Sequence, residues 1–179
     1  MSTTKNILAI SGSTRSQSTN HNYIQAITEL IGPGFTIHHN KDLITTLPHF
    51  NPDLDTETPP EAVTHLRQQL RNADGILICT PEYAMGVPGT LKNAIDWTVS
   101  SCEFSNKPVA LITASSLGEK AHRSLLETLT VIEARVTPAT SLLISFAKPK
   151  INAQHQIIDA ATLTAVQDLL QAFKNMFTE

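Results

Sequence analysis

The chain has 179 residues, 41% of them hydrophobic, with 16 acidic against 13 basic side chains and a formal net charge of -3. That length suits one domain able to bury its own core, and the charge balance excludes the basic stripe of a nucleic-acid binder and the acidic block of an extended tail. No run of eighteen apolar residues is present to span a membrane, and the opening MSTTKNILAIS has too short an apolar run for a secretory leader, so a cytoplasmic chain is expected. Cys79 and Cys102 have neither CxxC spacing nor a histidine cluster beside them, which predicts plain thiols.

In chain order, the apolar run Ile7 to Ile10 reads as a buried strand. It passes straight into a hydroxyl-rich stretch, SGSTRSQSTN, which opens a helix striped by Ile24, Ile27 and Ile31. A loop leaving a strand for a helix N-terminus is an anion site, because free backbone N–H groups and the positive end of the helix dipole converge there. Ser11, Ser13, Thr14, Ser16, Ser18 and Thr19 offer hydroxyls, Arg15 a bidentate fork and Asn20 an amide, a set suited to a terminal phosphate monoester. Ser18 or Asn20 can equally serve as a plain helix cap. Neither GxGxxG nor GxxxxGK[ST] is present, which argues against dinucleotide and triphosphate loops of those types.

Gly32, Pro33 and Gly34 end the helix, and FTIHH (Phe35 to His39) alternates as a weaker strand. Its histidines, His38 and His39, fall on opposite faces and so make a poor metal pair. Lys41 to Pro60 is rich in Pro, Asp and Thr yet carries Leu43, Leu47 and Phe50, and it reads as a packed surface loop where a second helix has been shortened. A helix follows on Val63, Leu66, Leu70 and Ala73, then a strand from Gly75 to Cys79. The next loop, CTPEYAMGVPGTLKNAIDW, is stiffened by Pro81 and Pro88 and thinned by Gly86 and Gly89, forming a backbone-lined slot suited to a planar ring. Leu91, Ile95 and Thr98 stripe the helix after it, where Lys92 and Asp96 form an i,i+4 pair. A strand from Val109 to Ile112, a helix on Leu125, Leu129 and Ile132, a strand from Leu142 to Ile144 and a helix from Leu163 to Phe177 complete the pattern.

Five strands alternating with five helices predict a single α/β domain over residues 1–179, with a parallel sheet covered on both faces. In the flavodoxin-like order 2-1-3-4-5, the hydroxyl loop and the proline-stiffened loop flank one crevice at the topological switch point.

At these two loops the sequence resembles the NAD(P)H-dependent FMN reductase family, flavodoxin-fold flavoproteins that include chromate, quinone and azo-dye reductases. The family's G-S-x-R-x-x-S-x-N is met by Gly12, Ser13, Arg15, Ser18 and Asn20. Its P-E-Y-N-x-x-x-P-G-x-L-K-N-A-I-D-W is met from Pro81 to Trp97, except that Ala84 stands where Asn is usual. A third signature, G-A-S-x-G-x-x-G-G, keeps Ala114, Ser115 and Gly118, with Thr113, Lys120 and Ala121 replacing its first glycine and its glycine pair, and Leu117 in the place of the middle one unless the register shifts by one residue.

The resemblance implies that Ser13, Arg15, Ser18 and Asn20 hold the FMN phosphate. It implies that Pro81, Glu82, Tyr83, Ala84, Ser115 and Gly118 meet the isoalloxazine. It further implies NADPH or NADH as co-substrate, a small-molecule electron acceptor and a homodimer or homotetramer, with Trp97 on the helix used for subunit contact. No catalytic carboxylate is required, because hydride chemistry belongs to the cofactor, and Glu82 is expected to fix its loop by hydrogen bonding. The competing reading is a flavodoxin-type electron carrier with no nicotinamide chemistry. Only one aromatic, Tyr83, in the ring loop and the mild net charge count against that reading.

Overall fold

Residues 4–178 are described by a computed structural model; residues 1–3, where the segment read as leaderless begins, and residue 179 lie outside the described residues. Each short apolar run becomes a strand: β1 (Lys5–Ser11), β2 (Phe35–His39), β3 (Gly75–Thr80), β4 (Val109–Ala114) and β5 (Ser141–Ile144). β3 and β4 are buried throughout, as their lack of alternation predicts for central strands covered on both faces. β2, exposed at alternate positions, lies at the edge. The sheet is parallel, in the order β2-β1-β3-β4-β5.

The helices are α1 (Thr19–Leu30), α2 (Glu61–Asn72), α3 (Gly89–Asp96), α4 (Glu119–Val131) and α5 (Ala160–Asn175). Alternate strand residues feed two cores. Ile7, Ala9, Leu77, Ile112 and their neighbours pack with α1 and α5, whereas Leu8, Ile10, Ile76, Ile78 and Leu111 pack with α2, α3 and α4. Because α1 and α3 lie on opposite faces, the chain diverges after β1 and β3, and a crevice opens at their carboxyl ends.

Two expectations need correction. α2 has twelve residues, the same length as α1, so residues 41–60 are an addition ahead of a complete helix. That segment is packed as expected: Leu43 and Ile44 are buried, and the Asp55 carboxylate reaches the largely buried Arg67 guanidinium at 2.7 Å. Trp97, for its part, is wholly buried within its own chain. Its indole N–H donates to the Pro48 carbonyl (2.8 Å) and its ring meets Phe50 edge-on, so it clamps this segment and supplies no surface for a second subunit.

Candidate functional site

The first loop of the crevice takes its path from the close approach of β1 to β3. A Cβ at Gly12 would lie 2.1 Å from Thr80 Oγ1, so the position admits glycine alone. The Gly12 N–H donates to the Cys79 carbonyl (2.9 Å). Beyond it the hydroxyls organise the backbone: Ser13 N–H donates to Ser11 Oγ (3.2 Å), and Arg15 N–H to Ser13 Oγ (3.4 Å). Ser18 caps α1, its side chain accepting from Asn20 N–H (3.2 Å). The Arg15 side chain is exposed, and none of the ion pairs among the described residues involves it. It is a cation without a protein counter-charge.

The second loop leaves β3 at Pro81. Glu82 N–H donates to Ser115 Oγ (3.1 Å), while the Glu82 carboxylate accepts from Ala121 N–H (2.9 Å) in the first turn of α4. α4 has no side-chain cap of its own, since Gly118 occupies that position, so Glu82 stabilises the exposed N–H end of the helix from outside. The expected hydrogen-bonding role is met, though directed at α4. Tyr83 Oη lies 3.3 Å from Ser13 Oγ, latching the second loop to the first. Tyr83 and Gly86 then exchange both backbone hydrogen bonds at 3.0 Å around Ala84 and Met85, whose φ values are 49° and 60°. This two-residue turn demands left-handed backbone, which explains why asparagine suits the position that alanine occupies here.

Ser13, Arg15, Ser18, Asn20, Pro81, Glu82, Tyr83 and Ser115 all line one cleft of about 480 Å³. Ala84 and Gly118 do not line it. Ala84 sits in the turn, and Gly118, at φ 97°, takes the α4 cap position where a Cβ would meet Leu143 at 2.8 Å. Asn20 lines the cleft, yet its amide already joins two strand ends, donating to the Ala114 carbonyl (3.3 Å) and accepting from the Cys79 thiol (3.3 Å). Burial pushes the Cys79 thiol pKa up, keeping it protonated and able to donate. Of the departures from the third signature, Lys120 is exposed on α4 and, like its neighbour Glu119, lines no part of the cleft.

The loop after β5 contributes what motif reading passed over: Phe146, Ala147, Lys148 and Pro149 form a wall of the cleft. Phe146 N–H and Ala147 N–H donate to the Ser116 and Ser115 carbonyls at 3.0 Å, which ties this wall to the loop after β4. Lys148 adds a second cation without an ion pair among the described residues. The signal available in the sequence was positional, since every loop at the carboxyl end of a doubly wound sheet is a candidate.

The site therefore has a cationic, hydroxyl-rich end and an end walled by backbone, Tyr83 and Phe146. That donor set fits a flavin mononucleotide.

The family model described as NADPH-dependent FMN reductase matches residues 5–149. An NAD(P)H-dependent FMN reductase of Pseudomonas aeruginosa is 36% identical over 173 residues, covering 94% of this chain and 92% of its own. A quinone reductase of Escherichia coli is 35% identical over 138 residues, 73% of each chain. The solved structure of FerB, a flavoenzyme NAD(P)H:(acceptor) oxidoreductase from Paracoccus denitrificans, superimposes with a TM-score of 0.86 at 27% identity, covering 97% of both chains.

Proposed function

Because the chain belongs to the NADPH-dependent FMN reductase family, we propose that its cleft holds FMN and passes electrons from NADPH or NADH to small acceptors such as quinones, azo compounds, chromate or free flavin. The observation that carries this reading is the convergence of the two switch-point loops, with unpaired Arg15 at one end and the rigid Pro81 to Tyr83 backbone at the other. When bound, FMN supplies the ring that accepts a hydride from nicotinamide and gives two electrons to an acceptor.

The protein's own groups bind and orient. Arg15 would balance the phosphate charge, and the Ser13–Tyr83 contact holds the two loops at a fixed separation. Glu82, engaged by α4, holds the ring loop still and moves no proton. Such positioning is the main contribution a protein makes to hydride transfer between two rings.

The chain acts as one domain, and no helix among the described residues is long and apolar enough to cross a membrane. We place its action in the cytoplasm, consistent with two free cysteines. With a single cleft formed by the two switch-point loops, nicotinamide and acceptor occupy the same face of the ring in turn, which predicts ping-pong kinetics. Purified protein should be yellow, mixing with NADPH or NADH without acceptor should bleach it, and steady-state plots against varied acceptor should be parallel. Colour that persists until acceptor is added overturns the two-stage order. Colour bleached by dithionite but by neither nicotinamide establishes the electron carrier instead.

A further inference from the structure

On the far side of the α1 entrance lies a second cavity of about 610 Å³, which shares Thr19 and Lys148 with the first. Among the residues lining it are His21 on α1, His39 at the end of β2, Lys41 just after it, and Lys148 and His155 from the segment after β5. Among the described residues no Asp or Glu lines it, although the chain is net acidic. Among the described residues, Nε2 of His39 and Nδ1 of His155 are buried ring nitrogens without a hydrogen-bond partner, and the His21 ring lies within hydrogen-bonding reach of the Ser13 backbone. His21 is only 9% exposed.

Buried polar atoms without partners are rare because each forfeits its hydration. The lining thus offers imidazoles and two lysines with no carboxylate among the described residues, a donor set that an anion would satisfy. His155 is held at φ 61° in a turn closed by its N–H donating to the Asn152 carbonyl (3.2 Å). The His21 and His39 rings meet edge-on at 5.2 Å. The charged and titratable groups facing the cavity are the five just named, and all are cationic or become so on protonation. A metal ion does not suit the place: no group of three histidine, cysteine or carboxylate side chains among the described residues is arranged to hold one, and the two lysines repel a cation.

We propose that this cavity is a second phosphate site, which takes a phosphate monoester or inorganic phosphate next to the position of the flavin's own phosphate. A phosphate brings acceptor oxygens in several directions and up to two negative charges, which suits a lining of imidazoles and lysines. Its source is either the 2′-phosphate of the co-substrate NADPH, which rests on the function proposed above, or phosphate from elsewhere. Binding is linked to proton uptake, because an anion favours the charged form of each histidine.

The test titrates inorganic phosphate into FMN-loaded protein by calorimetry at constant ionic strength, in buffers of different ionisation heat. One site is expected, with heats that depend on the buffer. Lys41→Ala should weaken it by about ten- to a hundredfold, as expected for loss of one charge-assisted contact. His39→Gln should reduce the proton uptake. Lys41 is exposed, so its loss leaves the fold intact. In flavin-free protein two phosphate sites are expected, one weakened by Arg15→Ala and the other by Lys41→Ala, so the site is tested even if flavin does not bind. A rise in the ratio of the Michaelis constants for NADPH and NADH in Lys41→Ala assigns the phosphate to the nicotinamide nucleotide. An unchanged ratio with weakened phosphate binding assigns it to another phosphate, and the site stands in both cases. Absence of phosphate binding to the FMN-loaded protein, or binding that Lys41→Ala leaves intact, overturns the proposal.

Discussion

Asn20 and Arg15 belong to one motif yet act differently. Asn20 spends its amide on the ends of β3 and β4, so its replacement disturbs the sheet before it disturbs a ligand. Arg15 has no ion pair, so its replacement is felt only when phosphate is present. Arg15→Ala should weaken FMN by about ten- to a hundredfold, from the loss of charge-assisted hydrogen bonds, and leave riboflavin affinity nearly unchanged. Fluorescence titration of both flavins checks this, and equal losses would refute a phosphate role. Ala84 carries a different liability. Its φ of 49° costs an alanine free energy that asparagine largely avoids, so Ala84→Asn should stabilise the fold by about 0.5–1 kcal/mol in urea denaturation.

Elements here are joined by side chains that sequence periodicity does not reveal. α4 begins without its own cap and borrows the carboxylate of Glu82 from the ring loop. Further along, His122 lies 2.8 Å from Thr113 on β4 and 3.0 Å from Ser141 on β5. The first turn of α4 is thus tied to three strand ends. Glu82→Ala should lower the unfolding free energy by about 1–2 kcal/mol, as for loss of a helix cap, and should also speed FMN release because the ring loop loses its anchor. A drop in thermal midpoint with unaltered flavin release would separate the cap from the cofactor site. α3 shows the same economy: Asn93 donates to the Pro48 carbonyl (3.0 Å) and accepts from Phe50 N–H (2.7 Å), while Trp97 covers the same segment. Asn93 and Trp97 of the second signature therefore hold residues 41–60, and only its first three residues, Pro81, Glu82 and Tyr83, line the cleft.

For the whole molecule, the histidine cavity makes stability depend on pH. Burial and the nearby Lys41 lower the pKa of His21, with a weak opposing pull from the Ser13 backbone, and burial with His21 and Lys41 lowers that of His39 to about 4. The unfolded chain protonates its histidines near pH 6.5, whereas folded His39 does so only near pH 4 and folded His21 below its ordinary value, so stability is complete above pH 6.5 and falls on acidification below it. Urea midpoints measured across the window should fall, His39→Gln should flatten the decline, and phosphate should oppose it. Subunit assembly is a separate matter, now that Trp97 is accounted for within one chain. Tyr83, Met85, Leu117 and Phe146 stand exposed on loops at the carboxyl end of the sheet. Covering them with a second copy would remove apolar surface from water and close over the clefts. Sedimentation at micromolar concentration should show a dimer or tetramer; a 19.5 kDa species alone would refute this.

The order of strands and helices, the two loops and the free thiols were legible in the sequence, because apolar periodicity and turn residues act over a few positions and the sheet topology follows from short right-handed crossovers. Trp97 could be placed on its helix but not assigned to the core, since its partner Pro48 lies 49 positions away and only packing brings them together. The same holds for Glu82 at the foot of α4, for the Phe146 to Pro149 wall, and above all for the cavity where His21, His39 and His155 meet from three separate elements. Local pattern determined which segments fold and in what form. Long-range packing alone decided which side chains face one another, because contacts between distant residues depend on the sheet register and carry no periodic mark in the chain.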